Sequence, residues 1–302
     1  MAPGNTASAT MVVIGDLHGQ WRPADRAYLE DLGPDLALFV GDLSDTEEVS
    51  AAEAVAAIQV PKVALLGNHD AWRSIKEKRV TDTLIRSIDA LGSSHLAYEV
   101  YDVPSAQVSV VGARPFSYGG PQLRGAEVYD ELYGVRDFES SAQRIVKAAQ
   151  GAQHADLIIL AHNGPTGLGS EPADICGKDF GQPGGDWGDR DLELAIELLE
   201  GWGFRIRAVI SGHMHHLLLH PRKHPRRRFV RRDGTLFINC AVVPRIEERD
   251  SRELAYFLRM TWEGGECLSI REVWVDADGQ EQVVVEPDVV GLDGPASATG
   301  EA

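Results

Sequence analysis

Cysteine is scarce in this 302-residue chain: Cys176, Cys240 and Cys267 stand far apart and form no Cys-x-x-Cys pair. That excludes a disulfide framework and a thiolate zinc site, fits a reducing interior, and leaves the three thiols as small packing residues. Long apolar runs are missing too. No stretch approaches the ~18–20 residues that span a bilayer, so no membrane association is expected. Met1–Thr10 lacks the basic flank and apolar stretch of a secretory signal, and a cytoplasmic protein is the expectation. Positive charge is in deficit, with 29 Lys+Arg against 46 Asp+Glu and a net charge of −17. A mean field of that sign repels nucleic acid, which is therefore not an expected partner. What is present is globular: 43% hydrophobic and 25% charged residues exclude a wholly disordered chain, and the length suffices for a sizeable core.

Short apolar runs alternate with amphipathic stretches through the first two-thirds. Met11–Ile14, Leu36–Val40, Lys62–Leu66, Asp156–Leu160 and Ile206–Ile210 read as buried strands. Ala24–Leu32, Val49–Ile58, Asp82–Leu91, Ser140–Gln150 and Asp191–Glu200 carry helical spacing, while Leu96–Val103 and Gln107–Val111 read as two strands joined by a turn. The last third is strand and turn: Leu236–Asn239, Ala255–Trp262, Leu268–Val275 and Gln282–Val285. The pattern predicts an α/β sandwich forming a single domain over residues 10–288, with residues 1–9 and 289–302 as disordered tails.

Ligands of open α/β sheets gather where strands end at their carboxyl edge. After the five early strands come Gly15-Asp16-Leu17-His18-Gly19, Gly41-Asp42, Gly67-Asn68-His69-Asp70, Ala161-His162-Asn163-Gly164 and Ser211-Gly212-His213-Met214-His215-His216. Singly, each has a structural explanation: a helix-capping Asp16, a turn Asp42, an interior His162. Five metal-competent groups at the same end of five strands do not arise from packing alone. Carboxylates, an amide oxygen and several imidazoles without thiolate suit Mn, Fe or Zn ions. The donors exceed what one ion needs, so two ions are expected, with Asp42 as the shared carboxylate.

These five blocks, in this order over roughly residues 11–240, resemble the calcineurin-like metallophosphoesterase superfamily. The resemblance implies a four-layer α/β/β/α sandwich of two mixed sheets around a dinuclear centre. By that pattern Asp16, His18 and His215 would bind one ion, Asn68, His162 and His213 the other, and Asp42 both. A metal-bridging hydroxide would be the nucleophile and His69 the general acid, with Asp70 holding its imidazole. The first block is similar to that of Ser/Thr protein phosphatases. However, Asp42 is followed by Leu43-Ser44-Asp45-Thr46-Glu47-Glu48 without arginine, and the third block ends in Asp70 rather than Glu. His162-Asn163-Gly164-Pro165 and His216 resemble instead an uncharacterised bacterial and plastid branch.

Three insertions are candidates for substrate contact. Residues 163–189, rich in Gly and Pro, could form a lid, and open with Asn163. Residues 114–135 offer Arg114 and Tyr118 among several aromatics. Residues 221–232 carry seven basic side chains, Arg226, Arg227 and Arg228 among them, suited to gripping phosphate. The expectation is a phosphomonoesterase acting on a small-molecule or protein-borne phosphoester. The alternatives are a cyclic-nucleotide or other phosphodiesterase, and a non-enzymatic module that binds a partner through residues 221–232.

Overall fold

The computed structural model describes residues 8–292. The strands are β1 (Ala9–Ile14), β2 (Leu36–Phe39), β3 (Lys62–Ala64), β4 (Val100–Val103), β5 (Val108–Gly112), β6 (Asp156–Leu160) and β7 (Arg205–Ser211), then β8 (Phe229–Arg232), β9 (Thr235–Asn239), β10 (Ile246–Arg249), β11 (Arg252–Glu263), β12 (Glu266–Val275), β13 (Glu281–Val285) and β14 (Val290–Gly291). The helices are α1 (Pro23–Leu32), α2 (Val49–Ala56), α3 (Trp72–Glu77), α4 (Asp82–Leu91), α5 (Ala126–Tyr133), α6 (Phe138–Ala149) and α7 (Arg190–Gly201).

Two seven-stranded mixed sheets form the two inner layers of the α/β/β/α sandwich. One runs β13-β12-β11-β1-β2-β3, with β10 on β11; the other runs β14-β8-β9-β7-β6-β5-β4. β1, β2 and β3 are parallel, as are β5, β6, β7 and β9, so their carboxyl ends point the same way within each sheet. These central strands are short apolar runs with every residue of β2, β5, β6 and β9 buried, as expected of strands covered on both faces. A single apolar core joins both sheets, from Met11 and Leu38 in one to Ile158 and Val209 in the other. No helix among the described residues is long and apolar enough to cross a membrane.

Most elements follow the sequence reading to within a few residues. The expected strand from Leu96 begins only at Val100, because Tyr98 adopts a left-handed φ of 56° that breaks extended pairing. β8 arises inside the basic segment, where Phe229 and Val230 are buried opposite β9. The expected tails are corrected at their inner ends: Ala9 pairs with Trp262, and Val290 with Val230. Residues 1–7 and 293–302, where the rest of that expectation falls, lie outside the described residues.

Candidate metal centre

Each donor stands just past a strand, where the chain leaves the sheet in a sharp turn. His18, Asp42 and His213 all hold left-handed φ angles of 44°, 47° and 65°. Such conformations cost of order 1–3 kcal/mol each and persist where surrounding contacts over-determine them. Those contacts are present: His18 N donates to the Asp42 carbonyl at 2.8 Å, His69 N to Asp42 Oδ1 at 2.9 Å, and His213 N to Asp16 Oδ2 at 2.9 Å. Two glycines are required by the close approach of these groups. A Cβ on Gly67 would lie 2.2 Å from Asp42 Oδ1, and one on Gly212 would lie 2.1 Å from Asp16 Oδ1.

The side chains converge in two sets linked by a third. Donor atoms of Asp16, His18 and His215 lie within 4.8 Å of one another, as do those of Asp42, His162 and His213. Asp42 also groups with His18 and His69, which places it between the two sets. Its Oδ2 is 3.8 Å from His18 Nε2 and its Oδ1 is 3.4 Å from His162 Nε2. Asn68 Oδ1 lies 2.9 Å from His162 Nε2. All the residues expected to bind metal are thus gathered at one place.

The hydrogen bonds test whether this cluster suits cations. His162 Nδ1 faces the Val40 carbonyl at 2.9 Å and His18 Nδ1 faces Asp45 Oδ1 at 2.9 Å. Both oxygens only accept, so each Nδ1 donates, and in the neutral ring each Nε2 turns a lone pair inward. His18 Nε2 is buried with no hydrogen-bond partner among the described residues. The His162 Nε2 lone pair meets Asn68 Oδ1 and Asp42 Oδ1, which are also acceptors. Converging lone pairs without a donor between them are what a cation satisfies.

The charge states agree. Burial pushes His213 down to about 3 and His215 down to about 4, with His162 and His18 respectively adding repulsion. These imidazoles are therefore neutral and metal-competent at neutral pH. Burial raises the Asp42 carboxyl, but His162, His69, His18 and His213 outweigh it and hold it below its ordinary range. Burial and then the charge of Asp42 raise Asp16 well above its ordinary range, a repulsion that bound cations would relieve.

At the rim the structure departs from the sequence reading. Asp70 does not hold the His69 ring. Its carboxylate accepts from the amides of Gly67, Leu43 and Ser44 at 2.7, 3.1 and 3.1 Å, stapling the loop after β3 to the loop after β2. The His69 Nδ1 partner is the Asp45 carbonyl at 2.9 Å, and the Asp45 side chain holds His18. Asp45 is thus a positioning residue the sequence reading passed over, although it stands three places after Asp42.

The expected substrate-gripping arginines are turned inward. Arg226 is buried: it pairs with Asp179 at 3.0 Å and donates to the carbonyls of Pro172, Asp174, Gly177 and His215. Arg227 pairs with Asp174 at 2.8 Å, and Arg228 with Glu272 and Tyr256. Arg114 is buried between Asp189 and Asp191, at 2.8 and 2.7 Å. Asn163 is also buried, its amide donating to the Trp187 carbonyl at 2.9 Å. These five side chains hold contacts within the fold, while Arg222 and Lys223 of the basic segment are exposed. The 163–189 loop is accordingly tied down at Asp174 and Asp179. Burial and then the charge of Asp42 raise the Tyr118 hydroxyl, with Arg124 and Asn68 acting against them.

A two-sheet α/β/β/α sandwich with a His/Asp donor cluster at its strand ends defines a metallohydrolase-type scaffold. The calcineurin-like phosphoesterase family matches residues 9–217, and this chain belongs to that family. Members of the family bind divalent metals, and the donor groups described above are the candidates here. No curated protein matches the chain significantly. One solved structure is similar at 10% identity, covering 92% of this chain and 99% of its own with a TM-score of 0.51, which shows a shared fold. A hypothetical protein from Thermus thermophilus is 15% identical, over 88% of this chain and 99% of that one, with a TM-score of 0.46. A metallophosphoesterase from Sphaerobacter thermophilus is 16% identical, over 93% of this chain and 89% of that one, with a TM-score of 0.30.

Proposed function

We propose that this chain hydrolyses phosphomonoesters at a centre of two metal ions, Mn, Fe or Zn. Asp16, His18 and His215 would hold one ion, Asn68, His162 and His213 the other, and Asp42 both. The observation that supports this most is that the two His/Asp donor sets meet at Asp42. When bound, the ions neutralise phosphoryl oxygens and supply a nucleophile at neutral pH. The protein's own part is positioning and proton transfer. His69 donates its Nδ1 hydrogen to the Asp45 carbonyl, which leaves Nε2 to carry a proton to the departing alkoxide. His69 N also fixes Asp42 Oδ1, so ligand and acid move as one loop. The substrate is a small-molecule or protein-borne phosphoester.

The test is hydrolysis of p-nitrophenyl phosphate against bis-p-nitrophenyl phosphate by protein stripped of metal and reloaded with Mn²⁺, Zn²⁺ or Fe²⁺. Turnover that needs metal and favours the monoester is expected. His69→Ala should keep its metal and lose ~10²–10⁴-fold in rate on an alkyl phosphate, but far less on the activated aryl ester. Fully loaded protein that cleaves neither ester would overturn the reading, and a preference for the diester would reassign it as a phosphodiesterase.

A further inference from the structure

We infer that the metal centre opens onto an apolar wall that selects phosphomonoesters whose leaving alcohol carries a ring-sized or branched apolar group. The inference rests on the hydrolysis proposed above and names the substrate class for the same site. The cavity over Asp42, His69, His213 and His215 has a volume of about 320 Å³, and Phe180, Met214, Leu217 and Leu219 line it. That is near the lower end of the ~300–1,000 Å³ of small-molecule sites, enough for one ring or short branched chain beside a phosphoryl group.

An exposed leucine alone means nothing. Here Leu219 is 60% and Leu217 37% exposed, and both face the same cavity as the metal donors. The wall is also fixed in place. Leu219 N donates to Asp179 Oδ2 at 2.7 Å, Asp179 pairs with Arg226 at 3.0 Å, and Arg226 Nε donates to the His215 carbonyl at 2.9 Å. One guanidinium therefore ties the apolar lip to the backbone of a metal donor. Phe180 stands edge-on to Trp187, ring centroids 5.2 Å apart. A wall built before the ligand arrives loses little freedom on binding it.

Charge points the same way. Among the described residues no lysine or arginine lines this cavity, and its one carboxylate outside the centre, Asp179, is already paired. Lys178 Nζ lies over the rings of Phe180 and Trp187, 5.6 and 5.0 Å from their centroids. An anionic leaving group would enter a chain of net charge −17 without a cationic partner in the cavity lining.

The test is calorimetric titration of the full Mn²⁺-loaded chain with two non-hydrolysable probes, phenylphosphonate and methylphosphonate. The wild type should bind the phenyl compound more tightly. Leu217→Ser/Leu219→Ser should cut the phenyl-to-methyl affinity ratio about tenfold, and Phe180→Ser should cut it in the same direction. Both leucines are at the surface, and an unchanged unfolding midpoint will show that the double variant is folded. Equal wild-type affinity for the two probes, or an unchanged ratio in both variants, overturns the wall. Phenyl phosphate turnover measured alongside separates the two ideas. Selective phenylphosphonate binding without cleavage of any phosphoester refutes the hydrolysis, whereas turnover without phenyl selectivity refutes only the wall.

Discussion

The carboxylate of Asp45 accepts a hydrogen bond from Nδ1 of His18 at 2.9 Å, although that carboxylate is 74% exposed. The same residue's carbonyl accepts from His69 Nδ1 at 2.9 Å. One turn residue therefore orients a proposed metal donor with its side chain and the proposed acid with its backbone. The two contacts are separable by mutation, because only the first depends on the side chain.

Asp45→Ala should lower metal affinity ~10–100-fold, the usual loss when the partner orienting a ligating imidazole is removed. Asp45→Asn keeps an accepting oxygen and should lose less. At saturating metal, both variants should retain more of their kcat than Asp42→Ala, since the His69 contact to the main chain remains. Competition against a chelator, followed by rates at saturating metal, measures both effects. Wild-type metal affinity in Asp45→Ala would show that the His18 contact does not matter.

Arg114 gives a stability prediction. Its guanidinium, 3% exposed, joins Asp189 and Asp191, and Ser117 Oγ adds a bond to Asp189 at 2.6 Å. Arg114→Met would strand two buried carboxylates and should cost about 3–5 kcal/mol, read as a lower urea midpoint. Adding Asp189→Asn and Asp191→Asn removes the stranded charges and should recover part of that loss. A single variant as stable as wild type would contradict the clamp.

The basic segment separates into groups that act differently. Arg226, buried among Asp179 and four carbonyls, should cost about 3–5 kcal/mol as Arg226→Met. Arg227 has one carboxylate partner and a side chain 38% exposed, so Arg227→Met should cost no more than ~1 kcal/mol. Urea unfolding of the two variants side by side decides it, and equal losses would mean that the segment is held by something other than these pairs.

The candidate donors were readable in sequence because each follows a short apolar strand that ends at a turn, and the pattern recurs at five strands. What could not be read there is which neighbour a side chain turns to. Asp70 follows His69 directly, yet its carboxylate faces the amides of Leu43 and Ser44, brought near by the parallel pairing of β2 and β3. The arginines looked free because their partners, Asp174, Asp179 and Glu272, lie in other segments that only the fold assembles. β8 was hidden for the same reason: Arg231 and Arg232 mask the two buried residues, Phe229 and Val230, that seat it.

His95 gives a pH prediction away from the metal centre. It is buried, with Nε2 3.2 Å from the Tyr133 hydroxyl, and burial holds its imidazole down to about 4. In the unfolded chain the ring titrates near ~6.5. Between those values the unfolded state binds the extra proton, so stability falls as pH drops from about 6.5 towards 4, by up to ~3 kcal/mol for this group. Above about pH 6.5 the ring is neutral in both states and its contribution is complete. His95→Gln has no proton to take up and retains an amide to meet Tyr133. Its urea midpoint should therefore fall less steeply over this range than that of the wild type. Both proteins share every other titrating group, including the imidazoles of the metal centre, so the difference between the two curves isolates His95. Parallel curves would mean that the ring is hydrated in the folded state and titrates as it does in the open chain.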